Sequence, residues 1–302
     1  VGNFTYSPKQ RYMCDNQGPE QVKNVKCIAV DGTTATLSWS DVSDDDISYF
    51  VVECKQSDGV WKSVSRTSTN LGVNLSGLTP EHDYVYRVIG YDKRSNRGTP
   101  SEEITVTTLK DTICPKVTKI TPDPGYFKSE INLRFTAEDD YRVKSIEIQT
   151  STDKESWKTV SEIKATGESA KCTFDCKLDL KNYEEGSVFV RAKIYDSYGN
   201  VTEDKDLTCY EYVVDRTAPI QPTGVTASSG ETEGGSSFVN ISWNAITDDN
   251  SFAYYRVYKS NSADGEFTLL KNNVKTVNTY DENVDFSATY YYKVEAVDLA
   301  GN

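Results

Sequence analysis

The chain has little of what enzyme active sites usually need. It contains a single histidine, His82, and no GxGxxG, Walker-type or HExxH motif. A Ser-His-Asp or Cys-His arrangement requires a histidine beside its nucleophile, and His82 falls in a predicted solvent-facing turn. Acidic residues are plentiful, but acidic loops alone do not make a glycosidase. The sequence therefore predicts a protein that is not an enzyme.

Long apolar runs and positive charge are also scarce. No apolar run approaches the roughly 18 residues that cross a bilayer, and no signal peptide begins at Val1. The 46 acidic residues outnumber the 33 basic ones and give a net charge of -13. Such a surface repels nucleic-acid phosphates and anionic lipids. We therefore expect no nucleic-acid partner and no membrane insertion within this stretch.

The cysteines predict neither a zinc site nor a full set of disulfides. Their number is seven, so at least one thiol is unpaired in the chain, and no CxxC pair occurs. Cys172 and Cys176 lie four residues apart in a strand-like stretch, about 13 Å from one another, which is too far for a disulfide. Strand alternation places both on an inward face, with Cys27 and Cys54 inward in other strands. We predict that these four thiols are buried and reduced.

Three copies of one unit follow each other with a period near 100 residues. The repeat is marked by Asp-x-x-x-Pro at Asp15, Asp111 and Asp215. Each proline is followed by a short apolar strand and then by a strand that alternates apolar and polar residues, as half-buried strands do. No segment sustains a helical period. The predicted fold is all-β, with three tandem sandwiches: residues 18–111, 112–215 and 216–302, the last lacking its final strand, after a tail of a preceding module at 1–17.

The first and third copies resemble fibronectin type III modules. The resemblance rests on Trp39 and Trp243 in the second strands and on the Leu78-Thr-Pro run that leads to Tyr84. It implies an immunoglobulin-like sandwich in which the corner tyrosine hydroxyl bonds to the backbone upstream. The middle copy has Phe135 in place of the tryptophan and resembles a bacterial immunoglobulin-like domain. Such modules are typical of large Gram-positive surface proteins, some of them near YD-repeat regions.

The resemblance implies fold more specifically than function. It favours a monomeric, non-catalytic spacer or adhesion array, extracellular or on a bacterial cell surface, that presents or links other domains. Its partner would be a protein or glycan ligand, or none. Two alternatives are an accessory region of a large exported carbohydrate-active enzyme and a eukaryotic adhesion receptor ectodomain. Tyrosines 254–255 and 290–292 offer a further alternative, an aromatic surface that stacks on sugars.

Acidic residues recur at one predicted pole of every copy. A linker aspartate, an acidic loop and a hairpin aspartate converge there, and converging carboxylates repel one another unless a cation neutralises them. Calcium accepts six to eight oxygen ligands in flexible geometry. The sequence predicts calcium ligands among Asp15, Asp44, Asp46, Asp92, Asp111, Asp139, Asp140, Asp196, Asp215, Asp248, Asp249 and Asp298.

The three junctions differ in the strength of this prediction. The third is the strongest case, with Asp215, Asp248, Asp249 and Asp298 around it, and the middle one is weakest because Arg142 and Lys144 closely follow its acidic residues. A bound cation is expected to join neighbouring modules into one stiff unit. The alternative is that these loops are solvated turns, in which aspartate is common.

Overall fold

The computed structural model describes the chain except at residues 1–7, 9–14, 69, 248, 283 and 286. The chain divides into two compact units. Unit 1 comprises Val1–Pro115, Asp139–Arg142 and Asp196–Asn200, and unit 2 comprises Lys116–Glu138, Val143–Tyr195 and Val201–Asn302. The described strands fall within residues 26–107, 116–214 and 226–298. The boundaries near residues 111 and 215 remain predictions.

The first group of strands forms two small antiparallel sheets that share one core. The strands are β1 (Lys26–Val30), β2 (Ala35–Ser38), β3 (Ile47–Lys55), β4 (Trp61–Thr67), β5 (Gly72–Leu75), β6 (Asp83–Asp92) and β7 (Ile104–Thr107). One sheet has the order β1-β2-β5 and the other β4-β3-β6-β7. Inward residues alternate along the strands, so Leu37, Val52 and Val88 are completely buried between the sheets.

The middle group is dominated by two long strands. Its elements are β8 (Lys116–Thr121), β9 (Tyr126–Phe127), β10 (Glu130–Ser151), β11 (Lys158–Asp179), β12 (Gly186–Asp196), a 3-10 turn (Asp204–Asp206) and β13 (Tyr210–Val214). The sheet order is β11-β10-β12-β13-β9, with β8 also paired to β10. Phe135 from the first half of β10 and Ile148 from its second half are both completely buried in one core. The long strand therefore contributes both of its halves to a single sandwich.

The acidic stretch of the middle copy is a bulge rather than a loop. The sequence predicted two strands separated by acidic residues 138–140, whereas β10 runs continuously through them. Its ladder with β11 breaks between Glu138 and Val143, where the register shifts. An interrupted ladder lets the strand bend and turn its side chains out of the sheet plane. Residues 139–142 belong to unit 1, whereas the rest of β10 belongs to unit 2.

The third group repeats the arrangement of the first. Its strands are β14 (Thr226–Glu231), β15 (Ser237–Ser242), β16 (Phe252–Ser260), β17 (Thr268–Val274), β18 (Asn278–Asp281) and β19 (Tyr291–Asp298). The sheet orders β14-β15-β18 and β17-β16-β19 match β1-β2-β5 and β4-β3-β6 strand for strand. Ile241 and Val257 are completely buried beside Trp243. The predicted all-β class is therefore confirmed.

The corner tyrosines are placed as the resemblance implied. The Tyr84 hydroxyl accepts a hydrogen bond of 2.8 Å from the Thr79 amide, five residues upstream. In the third group the Tyr290 hydroxyl accepts one of 3.0 Å from the Asp285 amide at the same spacing. Each bond holds the turn before the strand against the sheet, which accounts for the conserved spacing between the two copies.

The prediction of four buried thiols is only partly right. The four cysteines of this prediction are free thiols, but only Cys54 is buried. Cys27, Cys172 and Cys176 face the cores, yet they are half-buried. Their strands, β1 and β11, lie at the edges of their sheets, where an inward side chain is covered from fewer directions. Alternation predicted the face of each strand but not its position in the sheet.

No helix in the described part of the chain is long and apolar enough to cross a bilayer.

Candidate metal centre

Each of the three hairpins uses the same pair of polar residues. An aspartate at the end of a strand is followed four residues later by an asparagine: Asp92 and Asn96, Asp196 and Asn200, Asp298 and Asn302. In all three, the asparagine amide donates to the aspartate carboxylate and to the backbone carbonyl of the linker aspartate. The hairpin asparagine therefore bonds the linker backbone in each of the three copies.

The middle hairpin shows how this fastening is built. Asn200 Nδ2 donates to Asp196 Oδ2 at 2.6 Å and to the Asp111 carbonyl at 3.2 Å. The backbone amides of Tyr198 and Asn200 both donate to Asp196 Oδ1 at 2.8 Å. Asp196 is only 1% exposed, so these bonds replace water at a buried carboxylate.

The residue before each asparagine adopts the left-handed backbone conformation, with a positive φ, where the hairpin closes. Gly199 has a φ of 93° and Gly301 one of 82°. The first copy places Ser95 in the same conformation, with a φ of 65°. A residue with a Cβ pays a steric cost there, which explains the glycines in the other two copies.

Three predicted ligands of the middle junction come together in unit 1. One carboxylate oxygen from each of Asp111, Asp139 and Asp196 lies within 4.8 Å of the other two. Asp111 is contributed by the linker, Asp139 by the bulge of β10 and Asp196 by the hairpin. Asp111 and Asp196 are each 1% exposed, and Asp139 is half-buried. The arrangement is the convergence that the sequence predicted, at the junction it ranked lowest.

Two of these carboxylates each have a buried oxygen without a hydrogen-bond partner among the described residues. Asp111 Oδ1 accepts from the Ile113 amide at 2.9 Å, whereas its Oδ2 accepts nothing. Asp139 Oδ2 accepts from the amides of Tyr141 and Arg142, whereas its Oδ1 accepts nothing. Buried carboxylate oxygens are normally satisfied, because leaving one unpaired is costly. These two oxygens need a positively charged or hydrogen-donating partner.

The electrostatics of the cluster also indicate that these carboxylates lack a positively charged partner. Burial is the largest cause that raises the pKa of Asp139, and with the negative charges of Asp140, Asp111 and Asp196 it brings that pKa to about 6. Burial and the charges of Asp140, Asp196 and Asp31 likewise raise the pKa of Asp111. Both groups are held in surroundings that disfavour their charged forms.

The first junction also forms a cluster, but a more open one. One oxygen from each of Asp15, Asp46 and Asp92 lies within 4.8 Å of the other two, and only Asp92 is buried. Asp15 already has the guanidinium of Arg94 at 3.9 Å, in an exposed ion pair. Its Oδ1 also accepts from the Gln17 amide. No carboxylate oxygen of these three described residues is both buried and without a hydrogen-bond partner.

The third junction does not bring its described candidates together in this way. No metal-ligand cluster among the described residues contains Asp215, Asp249 or Asp298, and Asp248 lies outside the described residues. Asp249 Oδ1 instead accepts bonds from the amide and hydroxyl of Ser251. Asp215 Oδ1 accepts from the Thr217 amide. These aspartates are arranged as turn-forming residues.

The two remaining candidates lie beside the clusters. Asp44 Oδ1 accepts a bond of 3.3 Å from the Asp46 amide. Asp140 Oδ2 accepts one of 2.9 Å from the Thr33 hydroxyl, which belongs to the turn between β1 and β2. Both contacts lie within unit 1. Asp140 adds negative charge next to Asp139 without joining the group of converging oxygens.

Comparison with known proteins identifies the first group of strands. Residues 20–107 match the model of the fibronectin type III domain. The first sandwich is a fibronectin type III module. The chain is also similar to Exoglucanase B of Cellulomonas fimi, with 26% identity over 300 residues. This match covers 95% of the chain and 25% of the relative, so the chain spans about a quarter of that protein's length.

Two solved structures are also similar to the chain. The chain is similar to the FN1-FN3 domains of chicken CNTN1, with 18% identity, a TM-score of 0.45 and coverage of 94% of this chain and 95% of that one. It is similar to a fibronectin type III domain of human fibronectin type III domain containing protein 3, with 25% identity, a TM-score of 0.30 and coverage of 33% and 94%. The expected tandem fibronectin type III sandwiches are confirmed.

The residues considered for other chemistry have structural roles in these modules. His82 is exposed, and its ring packs edge-on against the corner Tyr84 of the fibronectin type III module. In the third group, Tyr255 is buried and its hydroxyl accepts from the Ile246 amide. The Tyr292 hydroxyl donates to Asp281 at 2.8 Å. Tyr291 is 39% exposed, whereas the other four tyrosines considered for sugar stacking are buried or half-buried.

Proposed function

We propose that this chain is a non-catalytic spacer region within a larger exported protein that acts on carbohydrate. The observation that carries the proposal is the match to Exoglucanase B along 95% of the chain. A region aligned from end to end with part of an exoglucanase, and made of fibronectin type III sandwiches, fits the role of an accessory segment. Fibronectin type III modules are generally non-catalytic. A catalytic function would require a specific site on the fold, because the fold itself does not imply an activity.

The arrangement of the linkers supports a spacer role. Each linker carbonyl is bonded by a hairpin asparagine, at 3.3 Å for Asp15, 3.2 Å for Asp111 and 2.9 Å for Asp215. An unfastened linker leaves interdomain motion as the default. A region that holds other domains apart requires ordered linkers. The same asparagine hydrogen bond, repeated at three linkers, orders the backbone of each one.

The surface chemistry supports the same role. The net charge of -13 keeps such a region soluble and away from anionic polymers. A depression of about 820 Å³ lies within unit 2 near β11 and is open to solvent. Its lining mixes Lys158, Asp179 and Glu185 with hydroxyl groups, without a histidine. These features favour spacing over catalysis or tight binding of a small ligand. The adhesion array and the receptor ectodomain are the less favoured alternatives.

The test begins with the chain alone. Residues 1–302 are incubated with soluble cello-oligosaccharides and with insoluble cellulose, and reducing sugar and retained protein are measured. We expect no hydrolysis and no retention on cellulose above that of a matched acidic control protein. Hydrolysis that survives repurification would refute the non-catalytic role. Saturable retention would favour a glycan-binding module instead.

The second arm uses the longer protein from which this region comes. Deleting the region is expected to leave kcat on a small soluble substrate unchanged and to lower the rate on insoluble substrate. Replacing it with an unrelated rigid segment of similar length should restore that rate. If the deletion affects both substrates equally, the region supports folding of its neighbours rather than spacing.

A further inference from the structure

We propose that Asp111, Asp139 and Asp196 bind one calcium ion at the middle junction, in unit 1. The convergence of three carboxylates is the first observation that carries this site. The second is independent of it: Asp111, at 1% exposure, has an Oδ2 that no described donor reaches. A third is the equally unpartnered, buried Oδ1 of Asp139.

The hydrogen bonds leave the unpartnered oxygens in place for a ligand. Asp111 accepts a hydrogen bond from the Ile113 backbone amide at 2.9 Å through one carboxylate oxygen. Asp139 likewise uses one oxygen, which accepts from the backbone amides of Tyr141 at 3.3 Å and Arg142 at 3.1 Å. Those bonds fix the carboxylate planes. Asp196 is fixed by three bonds from its own hairpin. Preorganised ligands of this kind lower the entropy lost on binding.

The donor set selects the class of cation. All three side chains are carboxylates, so a hard, oxygen-seeking ion is favoured over zinc or copper. Two oxygens on one calcium ion are at most about 5 Å apart, which accommodates a group of oxygens within 4.8 Å. Magnesium requires a smaller, near-octahedral shell and holds several waters, so it suits a set of three rigid carboxylates less well. Asp140 adds a further negative charge beside the site.

The consequence of binding lies within unit 1. The three ligands come from the linker, the bulge of β10 and the hairpin after β12. The bulge is already tied to the turn between β1 and β2 through the bond between Thr33 and Asp140, and the hairpin to the corner turn through the bond from Tyr198 to the Pro80 carbonyl. A shared ion neutralises the repulsion among these segments. The linker is then held by an ion as well as by Asn200.

Calcium titration of the whole chain tests the site. Chelator-treated residues 1–302 are titrated with calcium chloride by isothermal calorimetry, and magnesium chloride is titrated in a separate run. We expect the binding of one calcium ion per chain to depend on these three aspartates, and we expect magnesium to bind at least tenfold more weakly. Asp139→Asn, which preserves shape and removes one charge, should weaken calcium binding at least tenfold. Asp264→Asn, in an exposed turn, is the charge-matched control and should leave it unchanged.

Thermal unfolding separates a metal ligand from a merely structural aspartate. In chelator, Asp139→Asn should melt at or above the temperature of the unchanged chain, because the substitution relieves repulsion. In 5 mM calcium it should melt below the unchanged chain, since only the latter gains from binding. A variant that melts lower in both buffers by the same amount would overturn the site. Asp111→Asn provides a second variant if the first fails to fold.

Three outcomes would overturn the proposal. The first is the absence of calcium binding at 5 mM. The second is binding that Asp139→Asn and Asp111→Asn leave intact. The third is binding that Asp46→Asn removes while Asp139→Asn does not, which would assign the ion to the more open first cluster. None of these outcomes depends on the spacer role, because they concern the isolated chain.

Discussion

Replacing Asn200 with alanine tests whether the hairpin asparagine fastens the linker. The side chain donates to the Asp196 carboxylate at 2.6 Å and to the Asp111 carbonyl at 3.2 Å. A hydrogen bond to a charged group contributes about 1.5–3 kcal/mol and one to a neutral carbonyl about 0.5–1.5 kcal/mol. Asp196 is 1% exposed, so water does not easily replace the lost donor. We expect Asn200→Ala to destabilise the hairpin by about 2–4 kcal/mol.

Hydrogen exchange measured by mass spectrometry reports this loss locally. The Tyr198 and Asn200 amides, both bonded to Asp196 Oδ1, lie within residues 194–202. A loss of about 2 kcal/mol lowers their protection roughly 30-fold. Residues 90–98, the equivalent hairpin of the first module, serve as an internal reference in the same sample. Their exchange should not change.

Two variants complete the design. Asn132→Ala, an exposed position of β10, is the matched control and should change stability by less than about 0.5 kcal/mol. Asn96→Ala should reproduce the effect in the first hairpin, where the equivalent distances are 2.7 and 3.3 Å. If Asn200→Ala behaves like Asn132→Ala, the asparagine bonds contribute nothing measurable, and the argument that they order the linkers is refuted.

Three further predictions follow from single groups. Tyr84→Phe removes the acceptor of a backbone amide five residues upstream, so the first module should lose about 0.5–1.5 kcal/mol in urea unfolding, and an unchanged midpoint would contradict this. Alkylation of the native chain should modify exposed Cys209 faster than buried Cys54, whereas equal rates would contradict the burial pattern. Burial raises the pKa of Tyr86 and of Tyr212 well above the usual range. The fold therefore favours their neutral forms, and the free energy of unfolding should fall as pH rises above about 10. In a pH titration followed by tyrosinate absorbance at 295 nm, these two tyrosines should ionise late, at the pH at which the chain unfolds.

Sequence patterns were sufficient where the structure is local. The period-two alternation through Leu37 and Trp39 predicted a half-buried strand, because successive side chains of a strand point to opposite faces. The spacing from Leu78 to Tyr84 predicted the corner because that hydrogen bond closes over a few residues. The repetition near 100 residues predicted tandem modules, since each copy carries a complete set of these local signals.

The candidate site was predicted in outline, and the more buried cluster lies at the junction that the sequence ranked lowest. The convergence of a linker aspartate with Asp139 and Asp196 followed from sandwich topology. Arg142 made this junction look neutralised, yet its amide donates to Asp139 while two buried carboxylate oxygens remain unpartnered. Asn200 was overlooked as a functional residue, although an asparagine recurs four positions after the hairpin aspartate in all three copies.

The sequence by itself determined the strands, the turns and the repeat, because these depend on neighbours within a few positions along the chain. Tertiary structure alone decided that residues 139–142 leave the β10 ladder as a bulge and that Cys27, Cys172 and Cys176 sit on edge strands. It also decided which acidic cluster has unsatisfied oxygens. Burial and hydrogen-bond satisfaction are properties of groups brought together from distant parts of the chain, and three similar acidic patterns acquire different electrostatics when different neighbours enclose them.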